Sequence, residues 1–380
     1  MARARLRTAG KLAAACLAVC VVGAVQGNGN VVYAQGAGTA KIHFLTFEGN
    51  TEGVLLESRD ANGNPVFGMV DSGEDWDYPD GSDQRYPLRS GIVTNEGYDQ
   101  EVRDYLTKMG VNKDNFQFYI ATHPHSDHIG TADLVIREFQ PQNLYIMPYD
   151  DSMIDTSQTD VHLWDNQYVY DQTLAAAAEV GTNVIQDIND QNSAFSLGNF
   201  QIQIVNYDPS YQGQQTYDAN WFCLGVIAQA NGNTAFLTSD MGDDDGDLTR
   251  VMQTYSQVKD LEVLEANHHG FFDSMTDAFV EAASPEVMIL PGAFSNLKTS
   301  RVNLIGSLDT RLFALPAYTE QDAIVVELGT DPVTTSADGS FRIYTDADKH
   351  LRAYQDGQWC QGLLNRTASG ITQKKTEYWQ

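Results

Sequence analysis

The run Thr122-His123-Pro124-His125-Ser126-Asp127-His128-Ile129-Gly130 constrains this chain more than any other stretch. It places three imidazoles and one carboxylate within six residues. Phe118-Tyr119-Ile120-Ala121, just before it, is apolar and reads as a buried strand. From Ile129 to Phe139 apolar residues recur at helical spacing. The polar groups therefore sit on a loop between a strand end and a helix start. Open α/β sheets place chemistry there, because side chains converge above the strand ends without breaking the core. His-x-His lets two imidazoles reach one metal ion, and the Asp-His two residues on turns toward a second. Five of the eight histidines fall in this loop or in the later pair His268-His269, which scatter does not account for.

The flanking segments predict how that loop is supported. Ile42–Leu45, Gly53–Ser58 and Val66–Val70 read as strands, with a turn at Asn62-Gly63-Asn64-Pro65. Trp76–Arg89 is polar, acidic and aromatic, with Pro79, Gly81 and Pro87, and reads as a long loop. Tyr98, Val102, Tyr105, Leu106 and Met109 follow helical spacing, and Gly110 is placed to close that helix in a left-handed conformation. Leu144–Met147 reads as a strand and Leu174–Val180 as an alanine-rich helix. Further strands are expected at Phe200–Val205, Leu224–Ala230, Ala235–Thr238, Val263–Ala266 and Val287–Leu290, with helices at Leu248–Tyr255 and Met275–Ala282. Ala323–Leu328 and Phe341–Tyr344 read as a closing hairpin. Strands followed by alternating β and α, twice over, predict an α/β fold of two face-to-face sheets with helices outside.

Composition bears on compartment and partners. Met1–Lys11 carries Arg3, Arg5, Arg7 and Lys11 and no acid; Leu12–Val25 is mostly apolar, and Val32-Tyr33-Ala34 offers small residues at the cleavage positions. This layout predicts a secretory signal peptide over residues 1–34, ahead of a hydrolase domain over 35–354 and a tail over 355–380. The expected product is secreted or cell-surface, with no integral membrane span once the leader is removed. The formal charge is −28, and removing the leader takes away four positive charges to leave −32. Such a surface repels nucleic acid backbones and anionic membranes, so nucleic acid is not an expected partner. Cys223 and Cys360, the two cysteines left, are too few and too far apart for a disulfide framework.

Strand, His123-x-His125-x-Asp127-His128, then helix resembles the metallo-β-lactamase superfamily. That resemblance implies a four-layer αββα sandwich with a metal site along one edge of the sheets. Asp71 matches the superfamily's early buttressing aspartate, Phe236–Asp240 a strand ending in a bridging aspartate, and Leu264–His269 a strand ending in the last histidine. Met69–Asp75, Tyr78–Asp83, Arg85–Pro87, Leu163–Asn166 and Asn267–His269 are similar to the catalytic module of the streptococcal phosphorylcholine esterases of teichoic acids. Those are secreted di-zinc phosphodiesterases in which choline-binding repeats follow the catalytic module. Here the tail is short, and Asp356–Trp359 is at most an echo of one repeat.

The resemblance implies two zinc ions. His123 and His125 are assigned to the first and Asp127 and His128 to the second, with Asp240 bridging and one of His268 and His269 completing the second. Strand alternation after Val263 and Leu264 favours His268. Where the superfamily supplies another mid-chain histidine to the first ion, this chain has Asn220, while His162 precedes the Trp164 segment. Two ions about 3.5–4 Å apart share a water whose pKa falls toward roughly 7, and the hydroxide attacks the reacting centre. Asp127 and Asp240 are thus the expected catalytic carboxylates. Trp76, Tyr78, Trp164, Asn220, Trp221 and Phe271 are the expected substrate contacts, the aromatic ones suited to a quaternary ammonium. Glu74, Asp75 and Asp77 are expected to add negative charge at the same mouth. Asp243–Asp247 offers clustered carboxylates for a calcium ion, or a solvated turn before the next helix. The expected activity is phosphodiester hydrolysis of a small-molecule or polymer head group at the cell envelope. The competing readings are hydrolysis of another ester, a lactone or a β-lactam, and a non-catalytic surface adhesin.

Overall fold

The computed structural model describes residues 39–329, except 158–160, 211–212, 244–245, 272–273, 309 and 320, and the backbone of four strands between 334 and 364. The leader expected over 1–34, Asp244, Asp245, His350 and the tail beyond 364 lie outside these residues, as do the side chains of the tail before it, Cys360 included. The described residues belong to one unit, Gln35–Gln380.

The first half runs β1 (Ala40–Leu45), β2 (Gly53–Arg59), β3 (Pro65–Ser72), α1 (Asp99–Met109), β4 (Phe116–Ala121), α2 (Ser126–Ile129), α3 (Ala132–Phe139), β5 (Asn143–Ile146), α4 (Asn166–Val180) and β6 (Asn183–Ile185). The second runs β7 (Ala194–Leu197), β8 (Phe200–Val205), β9 (Gly225–Ala230), β10 (Asn233–Leu237), α5 (Asp247–Thr254), β11 (Val263–Glu265), α6 (Asp277–Ala283), β12 (Val287–Leu290), α7 (Thr299–Ser307) and β13 (Arg311–Ala314). Then follow β14 (Ala323–Glu327), β15 (Thr334–Thr335), β16 (Phe341–Thr345), β17 (Leu351–Gln355) and β18 (Gln358–Leu364). One sheet has the order β15-β14-β1-β2-β3-β4-β5-β6, the other β18-β17-β16-β13-β12-β11-β10-β9-β8-β7.

Alternation along the strands sorts the core into layers. Ile42, Phe44, Val54, Leu56, Val70 and Ile120 of the first sheet share one apolar cluster with Ile202, Ile204, Val226 and Ala228 of the second. Leu55, Met69, Tyr119 and Ala121, their neighbours along the strands, pack instead with Val102 and Leu106 of α1, Val135 and Ile136 of α3, and Ala176 and Ala177 of α4. On the far side Phe236 meets Phe279 of α6 edge-on, with ring centroids 6.5 Å apart. The result is the expected αββα layering. Strands buried on both faces explain why β2 and β3 read as nearly continuous apolar runs.

Several expectations hold in detail. Gly63 turns β2 into β3 at φ 85°, with the Asp60 carboxylate accepting the N–H groups of Asn62 and Asn64. Gly110 closes α1 at φ 77°. Two expectations need correction. The alanine-rich helix begins at Asn166, eight residues before the predicted start, because the Trp164-Asp165 segment already turns into it. The predicted closing hairpin does not form: β14 pairs antiparallel with β1 in the first sheet, whereas β16 pairs with β13 in the second. The edge of β1 takes β14 as its partner, so the chain changes sheets between them.

Candidate metal centre

The ligand-type side chains expected from the sequence all project from C-terminal strand ends. Asp71 ends β3, His123–His128 follows β4, Asp240 follows β10, and His268-His269 follows β11. The pairs β3–β4 and β10–β11 are parallel, so within each sheet these ends lie side by side. Leu224 N–H donates to Thr122 O at 3.0 Å, joining the sheets at this edge, and His268 N–H donates to Ser239 O at 2.9 Å. Glu52 N–H and the Thr51 hydroxyl both donate to Asp127 O, at 3.0 and 2.6 Å, and clamp the loop from β2. Gly130 lets the loop close: a Cβ there would stand 2.6 Å from Ser126 O and 2.7 Å from Asp75 N.

Three of the histidines are oriented by a hydrogen bond at the outer nitrogen, and His125 by a facing carboxylate. Asp71 is fully buried, and its carboxylate accepts from Thr122 N–H at 2.9 Å, Thr122 Oγ1 at 2.5 Å, His128 Nδ1 at 2.9 Å and Ser239 Oγ at 3.2 Å. With its proton given to Asp71, Thr122 Oγ1 accepts from His123 Nδ1 at 3.0 Å. His269 Nδ1 donates to Pro291 O at 2.8 Å. His125 Nε2 lies 3.4 Å from Asp218 Oδ1. The inner nitrogens then face one another, His123 Nε2 to His125 Nδ1 at 3.1 Å and His128 Nε2 to His269 Nε2 at 3.2 Å. Inner nitrogens bearing lone pairs sit this close only with a cation or a proton between them. An outer acceptor, as His123, His128 and His269 have, is the arrangement that orients metal-ligating histidines.

The carboxylates complete two ligand sets. His123, His125 and Asp240 form one, and Asp127, His128 and His269 the other. Asp240 reaches both, with Oδ2 3.7 Å from His123 Nε2 and Oδ1 3.2 Å from His128 Nε2 and 3.4 Å from His269 Nε2. Asp127 Oδ2 lies 3.1 Å from His269 Nε2. Asp240 Oδ1 is buried without a hydrogen-bond partner, as an oxygen kept for a metal would be.

The electrostatics agree. Burial holds the His123 pKa well below the usual imidazole range, and His128 and His125 beside it add to the effect. Burial also lowers His125. Both are therefore neutral, as ligation requires. At His128 burial works the same way, but Asp240 and Asp127 outweigh it and hold the ring well above its ordinary value. His269 is raised against its burial by Asp240 and Asp127. Asp240 itself is held well below the carboxylate range, because His128, His269 and His268 overcome its desolvation. The field at this second set favours positive charge. The residues therefore fit divalent metal ions of the kind that take imidazole and carboxylate ligands.

His269, and not the favoured His268, meets Asp127 and His128. The strand ends at Glu265, and His268 and His269 take left-handed values of φ 48° and 51°, so alternation no longer applies. His268, its side chain 34 % exposed, lies 3.7 Å from Asp240 Oδ2. Asn220, in the region where another histidine was expected, donates Nδ2 to Asp240 Oδ2 at 3.2 Å and to His268 Nε2 at 3.1 Å.

Of the expected substrate contacts, Trp164 lies with its ring 4.9 Å from His125, and Phe271 lies 5.4 Å from His268 and 6.2 Å from His269. Trp76 and Tyr78 stand exposed on the long loop, and Trp221 packs edge-on against Tyr217. The expected negative mouth needs correction. Glu74 and Asp75 are buried, and desolvation together with neighbouring carboxylates raises both pKa values, that of Asp75 to about 9. Asp75 is therefore protonated near neutral pH, while Asp77 accepts from Tyr168 OH at 2.7 Å. At the acidic turn, Asp243 accepts from Thr249 and Thr276, and Asp247 from Ser210. These contacts tie the start of α5 to its surroundings; Asp244 and Asp245 lie outside the described residues. Cys223 is a free, buried thiol.

Sequence reasoning missed Thr122, Ser239, Asp218 and Glu52. Thr122 and Ser239 directly precede ligands, the one signal that could have marked them. Glu52 is buried with both carboxylate oxygens unpartnered and lies in ligand range of His128 and Asp240. Nothing in its local sequence points there.

No family model matches the chain, and no curated protein matches it. Comparison with solved structures finds a putative metallo-β-lactamase from Thermotoga maritima, 14% identical, covering 60% of this chain and 95% of that one at a TM-score of 0.35. Human tRNase Z, short form, is 11% identical, with coverage of 66% and 92% and a TM-score of 0.35. Metallo-β-lactamase SMB-1 bound to 2-mercaptoethanesulfonate is 13% identical, with coverage of 59% and 75% and a TM-score of 0.33. At these values none of them informs the chemistry of this chain, which rests on the side-chain geometry alone.

Proposed function

We propose that this chain is a secreted di-zinc phosphodiesterase, similar to the phosphorylcholine esterases, acting on a head group of a cell-wall polymer or a lipid-derived substrate. The observation that carries this reading is the meeting of six ligand-type side chains from three strand ends, their inner nitrogens facing one another. His123, His125 and Asp240 would hold one ion, and Asp127, His128, His269 and Asp240 the other. Bound there, divalent ions supply Lewis acidity and lower the pKa of water at neutral pH. The chain's own groups do the rest. Asp71, Thr122 and Ser239 fix the rings. Asn220 holds Asp240 Oδ2, and its own Oδ1 is buried and unpartnered, an acceptor left for a ligand or water. Trp164 and Phe271 present aromatic faces beside His125 and His268, and each cation–π contact to a quaternary ammonium is worth about 0.5–2 kcal/mol. Secretion is part of the proposal and rests on residues 1–34 as sequence. Among the described residues no helix is long and apolar enough to cross a membrane.

The test is turnover of p-nitrophenyl phosphorylcholine, bis-p-nitrophenyl phosphate and nitrocefin by purified protein with zinc. Turnover of the phosphodiesters, lost to a chelator and restored by zinc, is expected. Turnover of nitrocefin alone would overturn the phosphodiester reading in favour of acyl hydrolysis. Protein that holds no transition metal and stays inactive after zinc addition would be the adhesin.

A further inference from the structure

We propose that His162, Asp218 and Trp164 form a brace that keeps Nδ1 of His125 turned into the centre, so that the His123–His125 ion depends on a histidine outside the ligand set. The inference rests on the metal centre proposed above. His162 Nδ1 donates to Asp218 Oδ2 at 2.5 Å, and the other oxygen of Asp218 faces His125 Nε2 at 3.4 Å. The two segments are also joined along the backbone, by a parallel bridge between His162 and Asp218 and by His162 N–H to Tyr217 O at 3.0 Å. Asp218 is buried and also accepts from Asn220 N–H at 2.9 Å, so two donors hold its carboxylate. His125 Nε2 makes no hydrogen bond, but the Asp218 charge 3.4 Å away favours the proton on Nε2 and the lone pair on Nδ1, 3.1 Å from His123 Nε2.

Trp164 holds the same rings from the side. Its indole stacks on His162 with centroids 4.5 Å apart and planes 16° apart, and lies 4.9 Å from the His125 ring. Its backbone sits at φ 27°, a left-handed value that a bulky residue adopts only where its surroundings impose it. Arg89 donates to Trp164 O at 2.8 Å while paired with Asp151. Gly91 makes room for the indole, since a Cβ there would stand 2.4 Å from Trp164 Nε1. Separate segments thus maintain an unfavourable backbone conformation whose visible effect is to place one ring between two histidines.

The experiment measures zinc affinity by chelator competition, and the visible spectrum of the cobalt-substituted protein, for the full chain and its His162→Phe, His162→Gln and His125→Ala variants. His125→Ala identifies which ion belongs to the first position. His162→Phe is expected to weaken that ion about 10–100-fold and to shift the cobalt bands, leaving the other ion and the melting point of the metal-free protein unchanged. His162→Gln, whose amide still donates to Asp218, is expected to recover most of the affinity. Wild-type affinity and spectrum in His162→Phe would overturn the brace and leave the metal centre standing. Equal loss of both ions with a lowered metal-free melting point would make His162 a general stabiliser and also overturn it. Wild-type protein that binds no zinc would overturn the centre and the brace together.

Discussion

Replacing Asp75 with asparagine tests the electrostatic description of the loop that leads to the centre. Asp75 is 6 % exposed, with Oδ1 unpartnered. Desolvation, then the charges of Asp99, Asp133, Asp77 and Asp165, raise its pKa from 3.8 to about 9. The folded chain therefore keeps a proton that the unfolded chain releases, and stability from this group falls as pH rises between those two values. pH 7 lies roughly three units above the pKa of the unfolded carboxyl. At about 1.4 kcal/mol per unit, holding Asp75 neutral costs up to roughly 4 kcal/mol. Asparagine keeps the size and polarity without the ionisation, so Asp75→Asn is expected to stabilise the protein. The assay is urea unfolding of metal-free wild type and variant at pH 5 and pH 7.5, since bound metal would add its own pH dependence. The stability gap is expected to widen by roughly 3 kcal/mol over that interval. A gap that stays constant or narrows would mean that Asp75 is charged in the fold, and would refute the reasoning.

Three further outcomes follow from the centre. His269→Ala is expected to remove one zinc ion by metal analysis, whereas His268→Ala keeps both; the reverse result would restore the sequence-based preference. Asp71→Ala strands Thr122, His128 and Ser239 in a buried site and is expected to lower stability by about 3–5 kcal/mol, read by chemical denaturation; a loss under about 1 kcal/mol would show that these groups find other partners. Gly130→Ala, which would normally favour a helix, is expected here to destabilise by about 1–3 kcal/mol, because the new Cβ meets the backbone at Ser126 and Asp75; an unchanged melting point would show that the loop moves freely.

The layered fold was legible because its signals are local. Short apolar runs mark β1 to β5, helical spacing marks α1, and Gly110 and Gly63 stand where the backbone must turn left-handed. The ligand types were legible for the same reason: His-x-His-x-Asp-His carries its chemistry in its spacing. Where the chain leaves a strand, local reading fails. The choice between His268 and His269 turned on two left-handed residues after Glu265, and β14 and β16 went to different sheets.

By itself, then, the sequence determined which residue types gather at the β4–α2 loop and which segments extend or coil, since both depend on neighbours a few positions apart. Tertiary structure alone decided which ring nitrogen faces inward, that Asp75 is neutral near pH 7, and that Asp218 stands between His162 and His125. Those properties depend on distance and on exclusion of water, and both are set by segments far apart along the chain.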